Sequence, residues 1–168
     1  VPTRTNARGV DTNRNFFTLD WYDKSLSWWK TLKMKKLSHF PGHFPNSEVE
    51  TVFQVRLIDE FQPDKILSIH APLGFLDYDG PTALSLSKFP KSYVHECLKL
   101  RSKLKAISSG FFPGSLGNYA GNELGIPTIT LELPSADPQK ALGYWQQFRT
   151  GIKTMINFKV PELDKPHS

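Results

Sequence analysis

The sequence predicts an α/β fold. Three observations carry that prediction. Lys65–His70 and Thr128–Leu133 are short apolar runs of strand character, each ending in or carrying one polar residue of chemical interest. Two longer segments, Val49–Phe61 and Pro138–Asn157, repeat apolar residues at helical spacing. Strand and helix patterns alternate along the chain, as they do where helices cover a sheet.

Residues 1–16 read as a loop and a strand end that leads into Asn13-Arg14-Asn15. Residues 17–46 form a long aromatic, Pro- and Gly-containing connection, a length that usually serves a function or carries structure of its own. Ser47 and Glu50 have the spacing of a capping box, which predicts a helix to about Phe61 with Val49, Val52, Phe53, Ile58 and Phe61 inward. Pro63-Asp64 ends it, and the strand to His70 follows. Residues 71–90 read as a loop, and Ser92–Lys105 as a helix burying Val94, Cys97, Leu98 and Leu104. Residues 108–125 hold five glycines and suit a mobile loop. After the Glu132 strand, Asp137-Pro138 is a cap and first-turn pair for a helix to about Asn157. Its inward face is predicted as Ala141, Trp145, Phe148, Ile152, Met155 and Ile156. Residues 1–160 are expected to belong to one domain, and 161–168 to a polar tail.

The chain has 168 residues, 39% of them hydrophobic, enough for a packed core and unlike a disordered composition. Its formal net charge is +5, which brings polyanionic partners into consideration. The lysines form no single dense tract. The richest patch, Lys30 to Lys36 beside Trp28-Trp29, is read as a solvated loop or short helix, so a nucleic-acid partner is not expected. No apolar run has membrane-spanning length, and no membrane partner is expected. The lone cysteine, Cys97, excludes an internal disulfide. The expected compartment is the cytoplasm, with the periplasm as the alternative.

Four sites carry chemistry. Asn13-Arg14 places an amide beside a guanidinium, a pair that grips a carboxylate through a planar fork and a further donor. His70 ends a strand, where an imidazole has a fixed direction suited to metal ligation. Glu132 shares one strand face with Thr128 and Thr130, and a carboxylate in so apolar a strand is costly to bury without a role. Asp77 and Asp79, in the loop after His70, either meet an amino group of a ligand or form an exposed turn. His39 and His43 are spaced i, i+4, but Pro41-Gly42 between them precludes the helix that would make them a metal pair.

Taken in order, several segments resemble the zinc carboxypeptidase superfamily, most closely its bacterial murein tripeptide amidase-like branch. They are Arg4–Phe16, Pro41-Gly42 leading to Ser47–Thr51, Ser68–Leu73, Pro113–Tyr119 and Ile126–Pro134. The resemblance implies a mixed sheet with helices on both faces and a zinc-dependent peptidase or amidase that removes a C-terminal residue. The bond implied is γ-D-glutamyl–diaminopimelate in murein peptides. It implies His70 as a zinc ligand, Glu132 as general base, Arg4 as the oxyanion-stabilising arginine, and Asn13 with Arg14 as the carboxylate clamp. Asp77 and Asp79 would then face the diaminopimelate amine. The partner expected is a peptide, or murein peptide, with a free C-terminal carboxylate.

The sequence departs from the family in two places. The family's His-x-x-Glu zinc motif occurs nowhere in this chain. The chain is therefore read as the C-terminal portion of a longer enzyme, its fold incomplete at the N-terminal side. Two zinc ligands are expected outside it, the missing N-terminal portion is an expected companion segment, and the chain alone is expected to be inactive. The tyrosine that many members place over the substrate is absent from Ser109–Pro113, where Phe111 or Phe112 offers an apolar lid instead, and Tyr119 lies out of register. Two alternatives stand beside this: a general metallocarboxypeptidase acting on ordinary peptides, and a non-catalytic peptide- or cell-wall-binding domain that has lost its metal.

Overall fold

The computed structural model describes residues 3–31, 37–74, 76–81, 84, 89–90 and 112–161. The predicted Ser92–Lys105 helix, Cys97, Phe111 and the tail beyond residue 161 lie outside the described residues. The chain divides into two compact units, Val1–Pro63 with Gly110–Gly125, and Asp64–Ser109 with Ile126–Ser168.

In the first unit, residues 9–16 are not a strand end. Thr12–Arg14 is a single 3-10 turn, and Asn13 inside it has φ −80° and ψ 20°, outside helical geometry. The 17–46 connection carries structure of its own: a π-helical turn Trp21–Leu26 runs into the short helix α1, Ser27–Thr31. Trp21 is fully buried, Trp29 packs on Phe40 at 4.7 Å between ring centroids, and Trp28 stays exposed. The glycine-rich stretch also differs from expectation. Gly117–Glu123 forms a π-helical turn with Gly117, Asn118, Ala120 and Gly121 buried, so the part of this stretch that is described is packed structure.

Helix α2, Val49–Phe61, occupies the predicted range. Its start is not the predicted capping box. Glu48 is the N-cap, and the Ser47 hydroxyl donates to the Glu48 carboxylate at 2.7 Å. Its buried face also differs: Val49, Phe53 and Phe61 are exposed, while Thr51 and Ile58 are buried. The inward stripe starts at Glu48 and passes through Thr51, half-buried Val55 and Ile58. That stripe begins with a charged residue satisfied by polar partners, which a pattern of apolar residues does not register.

Among the described residues, the second unit holds a mixed sheet of three strands in the order β1-β3-β2. They are β1 (Ile66–His70), β2 (Leu76–Asp79) and β3 (Thr128–Glu132). Strand β1 runs parallel to β3, with Ile66 opposite Thr128 and His70 opposite Glu132. Strand β2 runs antiparallel, with Asp77 opposite Thr130 and Asp79 opposite Thr128. The expected 71–90 loop therefore contains a strand, and Asp77 and Asp79 lie on it. The run Leu76-Asp77-Tyr78-Asp79 alternates apolar and polar, but it is too short to stand out from loop composition.

Side chains alternate across a sheet, so these registers sort the strands into two faces. Leu67, Leu76, Tyr78, Ile129 and Leu131 belong to the apolar core with Phe89 and with Phe148, Ile152 and Met155 of helix α3, Ala141–Asn157. Asp137 accepts from Gln139 N at 3.0 Å, so the predicted cap is in place ahead of a 3-10 turn, Pro138–Lys140. The buried face of α3 is narrower than predicted. Phe148, Gly151 and Met155 are buried, whereas Ala141, Trp145 and Ile156 are exposed. No helix among the described residues is long and apolar enough to cross a membrane.

Candidate active site

The opposite face of the sheet is polar: Ser68 and His70 on β1, Thr128, Thr130 and Glu132 on β3, Asp77 and Asp79 on β2. Because β1 and β3 are parallel, their register brings His70 and Glu132 side by side at the carboxyl ends of both strands. Ends of this kind are where α/β sheets place ligands. His70 Nδ1 lies 3.5 Å from Glu132 Oε1, and Ser68 Oγ lies 3.0 Å from His70 Nε2. Glu132 is only 7% exposed, and its Oε2 faces the Leu73 N–H at 3.5 Å. The His70 carbonyl accepts from Leu133 N at 2.8 Å, which fixes the strand end that carries the imidazole.

Ser68 was not among the residues singled out for chemistry. Its signal is the i, i+2 spacing to His70, which puts both on one strand face. Asp77 is buried with its Oδ1 accepting from Tyr78 N at 2.8 Å. Asp79 pairs with Thr128, four residues before Glu132 and so about 13 Å down the strand from it. Burial and the neighbouring Asp79 charge push the Tyr78 phenol up to about 12, and its hydroxyl donates to the Pro81 carbonyl at 2.9 Å.

Catalytic zinc takes about three protein ligands. Among the described residues no group of three His, Cys, Asp or Glu side chains is placed to hold a metal ion. Both ring nitrogens of His70 face protein oxygens, Ser68 Oγ and Glu132 Oε1. The described residues do not by themselves form a zinc site.

The first unit carries the second cluster. The Arg14 carbonyl accepts from Trp21 Nε1 at 2.8 Å and Ser25 Oγ at 3.3 Å, and Arg14 N donates to Asp11 O at 2.8 Å. Arg14 Nη1 donates to the Asn13 carbonyl at 2.6 Å, and the guanidinium sits 4.9 Å from the centroid of the Phe112 ring. Phe112 thus stacks on the arginine. Asn13 Oδ1 accepts from Leu116 N at 2.8 Å, which assigns its other amide atom as the donor. Burial lowers the Arg14 pKa, Asp11 opposes that shift and Arg4 adds to it, yet a guanidinium so far above neutrality stays charged. Two positive charges and one buried carboxylate therefore lie in a single neighbourhood.

Arg4, rather than Arg14, forms the ion pair with Asp11, through both Nε and Nη2 at 2.8 Å. Asp11 is buried and Arg4 is 44% exposed, so Arg4 keeps one face to solvent. It lines an open depression of about 590 Å³ with Arg8, Thr3, Thr5, Trp29 and Phe40. Tyr119 stacks on Phe16 at 5.6 Å, and burial, then Asp59, raises its pKa.

The fold is α/β, with a mixed sheet that sets His70 beside Glu132, and comparison with known proteins finds the same fold in a solved structure. The crystal structure of murein-tripeptide amidase from Escherichia coli O157 matches with a TM-score of 0.62 and 24% identity, over 94% of this chain and 62% of that one. Murein peptide amidase A of Vibrio campbellii is 31% identical over 141 residues, 80% of this chain and 52% of the relative. The Escherichia coli K12 enzyme of the same name is 29% identical over 142 residues, 82% of this chain and 54% of the relative. No family model matches. The chain is similar to the murein peptide amidases over most of its own length, and it spans about half the length of the curated relatives it matches.

Proposed function

We propose that the protein carrying this chain is a hydrolase of murein peptides that cleaves the γ-D-glutamyl–diaminopimelate amide. The observation that supports it most is the His70–Glu132 pair at 3.5 Å on adjacent parallel strand ends, in a homologue of murein peptide amidases. In this proposal Glu132 takes a proton from the attacking water as the water oxygen bonds to the amide carbon. It then delivers that proton to the leaving amine as the C–N bond breaks. Asn13 and Arg14 hold the carboxylate of the departing residue, and the solvent-facing side of Arg4 is available to a developing oxyanion.

Zinc belongs to the proposal for the complete protein. His70 is the ligand offered from the described residues, and it must exchange its contact with Ser68 or Glu132 to serve. The remaining ligands are expected from outside the described residues. Asp77 is proposed for contact with the diaminopimelate amine; Asp79, at the other strand end, is the weaker of the two. The cytoplasm remains the proposed compartment.

The test is direct. The full-length protein is incubated with L-Ala-γ-D-Glu-diaminopimelate, and products are separated by mass. Release of free diaminopimelate is expected. Release of L-Ala alone, or no cleavage with metal supplied, overturns the assignment.

A further inference from the structure

We propose that Asn15 and Glu48 are positioning residues for the Asn13–Arg14 clamp, setting it through a buried hydrogen-bond frame. The proposal rests on the assignment of Asn13 and Arg14 as a carboxylate clamp.

Asn15 is fully buried directly after Arg14, and Glu48 is 1% exposed. The Asn15 amide nitrogen reaches the Pro41 carbonyl at 2.8 Å, the Phe44 carbonyl at 3.0 Å and Ser47 Oγ at 3.0 Å. Its Oδ1 accepts from Glu48 N at 3.1 Å. Only one orientation of the amide satisfies these four partners, because a backbone N–H must meet oxygen. Ser47 Oγ in turn donates to Glu48 Oε1 at 2.7 Å, and Asn6 Nδ2 donates to Glu48 Oε2 at 2.7 Å. The donors therefore run in one direction, from the Asn15 amide through the Ser47 hydroxyl to an anionic terminus. Such a chain is strengthened by the charge at its end. The Asn15 carbonyl closes the frame by accepting from Asn46 N at 2.6 Å.

The clamp needs this. It stands on a three-residue turn with one residue outside helical geometry, and a turn that short has little rigidity of its own. Recognition of a carboxylate by a planar fork tolerates little displacement. Gly42 shows how closely the frame is built: a Cβ there would stand 2.6 Å from Asn15 Nδ2 and 2.7 Å from Ser47 Oγ. Asn15 and Glu48 touch no substrate in this proposal; they act through Arg14.

The experiment uses the full-length protein and two peptides. One is L-Ala-γ-D-Glu-diaminopimelate; the other is the same peptide amidated at the carboxyl beside the scissile nitrogen. Asn15→Asp, Glu48→Gln and Ser47→Ala are each expected to raise KM for the free acid roughly tenfold, less than the hundredfold typical of a full 1 Å misplacement. The amidated peptide's KM and both kcat values are expected to hold, so the preference for acid over amide collapses. Ser47→Ala removes one hydroxyl and keeps the test open if Asn15→Asp does not fold. A lowered Tm with an unchanged acid-to-amide preference overturns the proposal and leaves Asn15 and Glu48 as stability residues only. Arg14→Ala separates the two levels. If it abolishes the preference while the frame variants do not, positioning fails and the clamp stands. If it leaves the preference intact, the clamp assignment fails and the positioning role with it.

Discussion

In the sheet, His70 and Glu132 owe their adjacency to register. Five consecutive residue pairs align β1 with β3, and the period of two puts both side chains on one face. At the proposed clamp, Arg14 owes its place to single partners, some near in sequence and some far. Trp21, Ser25, Leu116 and the Asn15–Glu48 frame hold a turn that lacks regular geometry. The first kind of site is fixed by repetition and tolerates local change. The second is fixed by single contacts, so one substitution can disturb it from a distance.

The largest effect is expected on the sheet side. Glu132→Gln keeps the size and a hydrogen-bonding oxygen but removes the proposed base. Turnover by the full-length protein should fall by about 10²–10⁴-fold, the usual contribution of a positioned proton carrier. Peptide binding, measured by calorimetry, should persist. Activity within a few-fold of the parent would show that proximity to His70 is structural only, and the contrast between the two regions would lose its catalytic meaning.

The same contrast governs what could be read in advance. The strands at His70 and Glu132, and the helices ending at Phe61 and Asn157, follow from periodicity and punctuation. Periodicity placed Ile58 inward correctly but also Val49, Phe53 and Phe61, because the buried stripe runs through Glu48 and Thr51, where Glu48 is satisfied by Asn6 and Ser47. Likewise no pattern in the sequence announces that Arg4 pairs with the buried Asp11; the folded turn shows it. The strand at Asp77 and Asp79 was hidden by its four-residue length. What escaped is a polar pairing that only the folded chain selects, or an element too short to show a period.

Two glycines turn the contrast into a stability measurement. At Gly114 φ is +73°, and a Cβ would run into the Arg14 carbonyl and stand 2.9 Å from Trp21 Cδ1. Gly114→Ala is expected to cost about 1–3 kcal/mol, from strain in a backbone region that L residues avoid. It should also raise KM for the free-acid peptide, since the displaced carbonyl belongs to Arg14. Gly143 lies in α3 with nothing within 4 Å of a built Cβ. There Gly→Ala should stabilise by about 0.5–1 kcal/mol through helix propensity alone. Denaturant melts of the two variants decide it, and equal effects in the two places would erase the distinction.

The smallest effect is in acid. Burial opposes ionisation of Glu48, but hydrogen bonds from Ser47 and Asn6 and the positive charges of Arg8 and His43 outweigh it, so its pKa lies below the ordinary 4.5. A carboxyl depressed on folding contributes stability that is fully present above its unfolded pKa and lost as pH falls through the folded one. The contribution therefore holds at neutral pH and fades below about pH 4.5. A Tm-against-pH series on the parent and on Glu48→Gln isolates it. The parent should lose stability more steeply through that acid range, and the variant, having no proton to take up at this position, should fall along a shallower line. Parallel curves would mean that the frame holds the clamp turn without drawing on the charge, and that the Asn15 amide and the Ser47 hydroxyl suffice.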